Sequence, residues 1–274
     1  MNNPPGTGSA GGPLLAVHEL TRRFGGLTAV AGLDFDLHAG EVLGLIGPNG
    51  AGKSTTFNMI AGTLAPSAGQ ILLQGNSVGG LPAHAMAARG VLRTFQHNCL
   101  FAGMSLRDNV MTGMHVGLAS NLLGVIGGIA RVRTAETAAR ARADELLAFV
   151  GLADAREQDV ATLSFGQGRL LETARALAGD PKLILFDEPA AGLAPAECER
   201  LTDIIEQIAA RDIGVLLIEH DMRFLLGIAD RVVVLDHGER IAIGLPEAIQ
   251  RDPAVIKAYL GSTRGVPAAG GTHA

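Results

Sequence analysis

A chain of 274 residues, 47% of them apolar, has area enough to bury one large domain or two small ones. With no Trp and one Tyr, its core has to be built from aliphatic side chains. A net charge of −5 argues against a nucleic-acid binder, whose footprint is a basic surface, and two distant cysteines, Cys99 and Cys198, fit a reducing compartment rather than a disulfide framework or a zinc site.

In chain order, residues 1–13 are rich in Gly, Pro and Ser and read as a flexible tail. They carry no Lys or Arg and no apolar block, so no secretory leader is expected. Residues 14–20 and 30–37 alternate apolar and polar side chains, as half-exposed strands do. Val42–Ile46 is an apolar run between glycines, the pattern of a buried strand, and residues 53–62 follow as a helix. Further strands are expected at 70–74 and 91–95, and from about 105 to 179 the pattern turns helical. Within that stretch, residues 122–130 are the most lipid-like, but they are about half the length of a spanning helix and run straight into Arg131 and Arg133. A soluble chain is expected, with any membrane role supplied through a partner. Strands return at 183–186, 215–218 and 231–235, with helices starting near Pro195 and Asp221. A short helix over 253–260 precedes a loose tail, 262–274, and no internal repeat is present. Strand–helix alternation of this kind implies an α/β fold on a parallel sheet with a helical insertion.

The chemistry begins at Gly47-Pro-Asn49-Gly50-Ala-Gly52-Lys53-Ser54-Thr55, which fits G-x-x-x-x-G-K-[ST] directly after a buried strand and opens a helix. Glycines let the backbone curl so that its amides point inward at phosphates, and the helix N-terminus adds positive potential. Lys53, one of three lysines in the chain, brings a full charge to the β- and γ-phosphates of ATP, and the Ser54 hydroxyl is a ligand for Mg²⁺. A second apolar strand ends in Asp187-Glu188-Pro189. A sheet of this kind presents the ends of its strands to the ligand, so Asp187 is expected near Mg²⁺ and Glu188 beside an attacking water.

Leu163-Ser164-Phe165-Gly166-Gln167 resembles the LSGGQ signature of the ABC ATPases, with Phe165 at the variable third place. Ser164 also reads as a helix N-cap, and the two readings are compatible because a capped helix start is a phosphate site. The resemblance spans residues 14 to about 261. It implies a P-loop NTPase, RecA-like core (14–96 and 179–261), an antiparallel β subdomain and an inserted helical subdomain (about 97–178). It implies that the signature (Ser164, Gly166, Gln167) meets the ATP of a second ATPase subunit, so one chain holds two half-sites. By the same resemblance, Gln96 contacts the metal and the nucleophilic water, and His220 contacts the γ-phosphate. Phe24 falls where an aromatic stacks on adenine, with core packing as its rival. The chain departs from the family at Ala194, where Asp or Asn is usual and hydrogen-bonds across the dimer.

Segments such as RFGGLTAV, RTFQ, DEPAAGL, IEHDM and DPAVIKAYLG resemble the branched-chain amino acid uptake branch, and its larger ATPase subunit in particular. That resemblance implies membrane permeases, a second ATPase, a periplasmic or extracellular binding protein acting indirectly, and a peripheral place on the cytoplasmic face of the inner membrane. No nucleic-acid partner is expected. Related branches handle urea, amides or aromatic acids. A non-transport ABC ATPase and a non-enzymatic subunit are the remaining alternatives; the first usually has two such domains, and Lys53, Glu188, Ser164 and His220 argue against the second.

Overall fold

The computed structural model describes residues 12–94, 100–114 and 129–261. Gln96, Cys99, most of the lipid-like segment and nearly all of both expected tails lie outside the described residues.

Two long strands, β1 (Leu15–Phe24) and β2 (Leu27–Leu37), pair antiparallel and are joined by β4 (Ala68–Leu73) and β5 (Asn76–Ser77) into a four-stranded sheet ordered β2-β1-β4-β5. The second sheet has six strands. They are β3 (Val42–Ile46), β6 (Val91–Arg93), β7 (Leu183–Asp187), β8 (Gly214–Ile218), β9 (Arg231–Asp236) and β10 (Glu239–Gly244), in the spatial order β10-β9-β3-β8-β7-β6. All neighbours run parallel except the edge pair of β9 and β10. A parallel sheet is covered on both faces, so its strands need no polar alternation. Every residue of β3, β7 and β8 is accordingly buried.

The pleat sends alternate side chains into two layers. Leu43, Leu45, Leu183, Leu185, Leu216 and Ile218 meet the four-stranded sheet and the helix α1 (Lys53–Ile60). On the opposite face, Val42, Ile46, Ile184, Phe186, Val215 and Leu217 meet a helical layer. The stretch expected to be helical from 105 to 179 contains, after the short α2 (Ala83–Ala87), three described helices: α3 (Leu106–Gly113), α4 (Ile129–Phe149) and α5 (Phe165–Leu177). Two single 3₁₀ turns, Ala153–Ala155 and Val160–Thr162, separate α4 from α5. Ser105 caps α3 and Ser164 caps α5, each through its hydroxyl. Near its C-terminal end α4 buries Ala143, Leu146 and Leu147, followed by Val150, at i, i+3, i+4 and i+7, the spacing of one helical face. The same spacing buries Leu201, Ile204, Ile205 and Ile208 of α6 (Pro195–Ala209). Short helices α7 (Met222–Ile228), α8 (Pro246–Arg251) and α9 (Pro253–Gly261) complete the layer.

The sequence reading assigns no strand after 235. The structure adds β10, turned back by His237 and Gly238, both at positive φ (47° and 85°), as a two-residue hairpin of the type I′ kind requires. Among the described residues no helix is long and apolar enough to cross a membrane.

Candidate functional site

The site is assembled where β3, β7 and β8 end. After β3 the chain turns through residues 47–52 into α1. Gly47 and Gly52 have φ of 154° and 99°, and a Cβ would lie 2.1 Å from the Leu235 carbonyl oxygen at the first and 2.6 Å from that of Ala29 at the second. At these two positions no other residue type fits without moving β9 or β2. The loop bounds a 200 Å³ cavity lined by Asn49, Gly50, Lys53, Ser54, Thr55 and His220, among others. The strand-end histidine therefore shares a cavity with the phosphate-type loop, although 167 residues separate it from Lys53.

Lys53 is only 6% exposed. Its ammonium curls back and donates to the carbonyls of Gly47 (2.7 Å) and Pro48 (3.0 Å). Burial pushes its pKa below the usual lysine range, and the charge of Glu188 opposes that shift. The interaction brings Glu188 into the same electrostatic neighbourhood.

Glu188 follows the last residue of β7 and has φ of 50°, in the left-handed region that a non-glycine residue adopts at a cost of about 1 kcal/mol or more. Its amide donates to the Ile218 carbonyl of β8 at 2.9 Å, and its carboxylate meets His220 Nε2 at 2.8 Å. Asp187 is 5% exposed and its Oδ2 accepts from Arg93 Nη2 at 2.7 Å. Arg93 Nη1 donates to Asn58 Oδ1 of α1 at 2.7 Å, and the guanidinium lies 4.8 Å from the Phe57 ring.

The structure separates the remaining expected residues from this cluster. Ser164, Gly166 and Gln167 stand at the start of α5 and do not line the cavity. There the Ser164 hydroxyl accepts from the Gln167 amide (3.1 Å) while Gln167 Oε1 accepts from the Ser164 amide (2.9 Å), a reciprocal capping box. Gly166 packs against the Glu197 carboxylate at the start of α6, which also accepts from the Ala194 amide at 2.9 Å. Phe24 is 45% exposed at the β1–β2 turn, with the Arg22 guanidinium 4.6 Å from its ring, so core packing does not explain it. Gln96 lies outside the described residues.

Three contacts were not drawn from the sequence. Arg93 lies in RTFQ and Glu219 in IEHDM, segments whose sequence points to Gln96 and His220. Glu219 is buried behind the site, where burial raises its carboxyl pKa although the amides of Ala190, His220 and Asp221 pull it down. Tyr259 of α9 takes a hydrogen bond from the Gly47 backbone that favours its ionised form, as an amide donor does; burial outweighs this and raises its pKa.

A family model for the ABC transporter matches residues 30–191, and one for the branched-chain amino acid ATP-binding cassette transporter matches residues 239–264. The chain is 41% identical to the high-affinity branched-chain amino acid transport ATP-binding protein LivG of Escherichia coli K12, over 91% of this chain and 98% of that one. It is 42% identical, with the same coverage, to the protein BraF of Pseudomonas aeruginosa, named for the same transport. The crystal structure of a nucleotide-free ATP-binding cassette from an ABC transporter superposes with a TM-score of 0.78 at 28% identity, covering 90% of this chain and 98% of the other. The chain belongs to the ABC transporter family as an ATP-binding subunit, which hydrolyses ATP in step with transport by membrane permease partners.

Proposed function

We propose that this chain energises the import of branched-chain amino acids. It would sit on the cytoplasmic face of the inner membrane, docked to integral permeases and facing a second ATPase subunit, with a periplasmic or extracellular binding protein delivering the amino acid. The observation that carries the substrate is the match of residues 239–264 to the branched-chain amino acid cassette model, together with relatives of 41% and 42% identity named for that transport. The residues themselves read out nucleotide and not amino acid, so the cargo rests on kinship.

The nucleotide chemistry rests on geometry. Lys53 turns from the Gly47 and Pro48 carbonyls toward the β- and γ-phosphates, while Asn49, Gly50, Gly52, Ser54 and Thr55 supply the cradle. Glu188 orients the attacking water and takes its proton as the water oxygen bonds to the γ-phosphorus and the bond to the ADP oxygen breaks. His220, held 2.8 Å from Glu188, donates to the γ-phosphate. Ser54 and Asp187 offer a hydroxyl and a carboxylate, the hard oxygen set that suits Mg²⁺ held jointly with substrate phosphates. Bound there, Mg²⁺ would neutralise charge developing on the phosphate oxygens. Arg93 fixes the rotamer of Asp187 and ties it to α1. Gln96 takes the metal and water contact that the resemblance implies. Phe24 presents an exposed ring for adenine. Ser164, Gly166 and Gln167 serve the nucleotide of the facing subunit; their absence from the lining of this chain's own phosphate-loop cavity supports that division. The helices α3, α4 and α5 make up the helical subdomain, set between the two core segments that carry the sheet.

Uptake of labelled leucine into cells carrying the native gene or Lys53→Ala tests the proposal. Loss of uptake with the permease still present is expected. Unchanged uptake, in cells with no redundant system, would overturn the cargo and point to urea, amides or aromatic acids.

A further inference from the structure

Glu219 has an environment that its neighbours in sequence do not explain. It directly follows a strand whose five residues are all buried, and it is itself 4% exposed. Among the described residues it makes no ion pair. A carboxylate taken out of water without a cation is costly, and an apolar side chain at the end of β8 would avoid that cost. What the carboxylate gains is a set of backbone amides. Oε1 accepts from the Ala190 amide at 2.7 Å, Oε2 accepts from the His220 amide at 3.1 Å, and the Asp221 amide adds a third bond.

These amides belong to two different loops. Ala190 lies two residues beyond Glu188, in the turn after β7, and His220 and Asp221 form the turn after β8. A single buried side chain thus staples the loop of Glu188 to the loop of His220. The staple acts beside the Ile218 carbonyl, which accepts from the Glu188 amide at 2.9 Å. Together the two attachments hold Glu188 at its φ of 50° from both sides. A strained backbone persists only where its surroundings over-determine it.

We propose that Glu219 is a positioning residue for ATP hydrolysis, setting the register between the Glu188 loop and the His220 loop so that carboxylate and imidazole meet at 2.8 Å. It does not touch nucleotide. It acts through the two residues that do, and so rests on the roles proposed above for Glu188 and His220. A side chain that merely satisfied turn amides would matter for stability and leave the chemical step alone. A positioning residue separates the other way: ATP still binds, because the phosphate loop is untouched, while the hydrolytic step slows.

The test uses the assembled transporter carrying wild-type chain, Glu219→Ala, Glu219→Gln, Glu188→Gln and the Glu219→Gln/Glu188→Gln double variant. Steady-state ATPase kinetics and nucleotide affinity are measured on folded material. Glu219→Ala should lower kcat by about 10- to 100-fold with KM for ATP within about threefold of wild type, the pattern of an interaction lost only in the transition state. Glu219→Gln keeps one acceptor oxygen and loses the other, and should fall between the two. It also keeps the inference testable if the alanine variant does not fold. In the Glu188→Gln background the glutamine substitution should cost less than about threefold more, because residues that act as a unit are not additive. Wild-type kcat in both Glu219 variants, or a loss that simply multiplies with that of Glu188→Gln, overturns the inference. Wild-type turnover by Glu188→Gln itself would instead overturn the hydrolytic role on which the inference depends.

Discussion

Ala194→Asn should make this protein more stable, and the start of α6 gives the size of the effect. Ala194 has the extended backbone of an N-cap (φ −71°, ψ 157°), Pro195 occupies the first helical position, and the methyl side chain offers no acceptor. Half of a capping box already exists, since Glu197 Oε2 accepts from the Ala194 amide at 2.9 Å. The other half is missing, and the Ala194 carbonyl compensates by accepting from both Glu197 (2.9 Å) and Cys198 (3.0 Å). An asparagine oxygen would relieve that sharing and complete the box, as Ser164 does for α5. Exchanging Ala for a good N-cap is worth about 0.5–2 kcal/mol. Because the Glu197 amide is already bonded, we expect the lower part of that range, about 0.5–1 kcal/mol, or about 1–4 °C in Tm for a chain of this size. Urea unfolding provides the assay: the midpoint should rise with an unchanged m-value, while Ser164→Ala should lower the midpoint by a loss of about 1 kcal/mol of stability. A midpoint that responds to Ser164→Ala but not to Ala194→Asn would refute the capping argument at α6. ATPase rate is read on the same samples and should change, since a polar side chain at this place is expected to reach the facing subunit. Equal rates would show that the position is silent in coupling.

Two further predictions concern pH. Burial lowers the Lys53 pKa in the empty site, so ATP affinity should begin to fall at a pH where an ordinary lysine is still charged. The Glu188 charge opposes that shift, so Glu188→Gln should move the fall to lower pH; titration calorimetry across the alkaline range that finds one midpoint for both proteins would contradict this. Arg231 bridges Glu41 (3.1 Å) and Asp36 (3.2 Å). Burial pulls the Asp36 pKa up, but Arg231 and His38 together bring it below the usual carboxylate value. A depressed carboxyl contributes stability above its unfolded pKa and loses it as pH falls through the folded one. Burial raises Glu41 despite its bond to Arg231, so removing the cation adds a penalty while Glu41 is ionised. Arg231→Met should therefore destabilise most near neutrality, with the gap to wild type narrowing below the carboxylate range. Equal gaps in neutral and acid unfolding curves would sink the argument.

How much of this was legible in the sequence depended on whether a residue's job is local. The phosphate loop is local: glycines, lysine and hydroxyl follow one another within the eight residues from Gly47 to Ser54, and the buried strand before them reads as an unbroken apolar run. The strand-end residues Asp187, Glu188 and His220 could be placed because a parallel sheet presents all its strand ends on one side. Glu219 could not, since its worth lies in amides of a loop 29 residues away. Arg93 was equally hidden, because its partners on α1 and β7 are 35 and 94 residues distant. Strand β10 escaped for another reason. None of its residues is fully buried and half are exposed, so they show no core-facing alternation, and only the positive-φ pair His237–Gly238 marks the return. The Phe24 ambiguity was real in the sequence, where an aromatic beside Arg22 and two glycines suits either a core or a rim, and exposure decided it.

The bond between Tyr259 and Gly47 has an optical consequence. The chain has one tyrosine and no tryptophan, so its near-ultraviolet emission comes from a single phenol. That phenol receives the first amide of the phosphate loop. Its emission yield and ionisation depend on the hydrogen bond it receives, and a loop that shifts as phosphate enters alters both. The unlabelled chain thus carries its own spectroscopic reporter of the nucleotide site, and Tyr259→Phe supplies the matching blank.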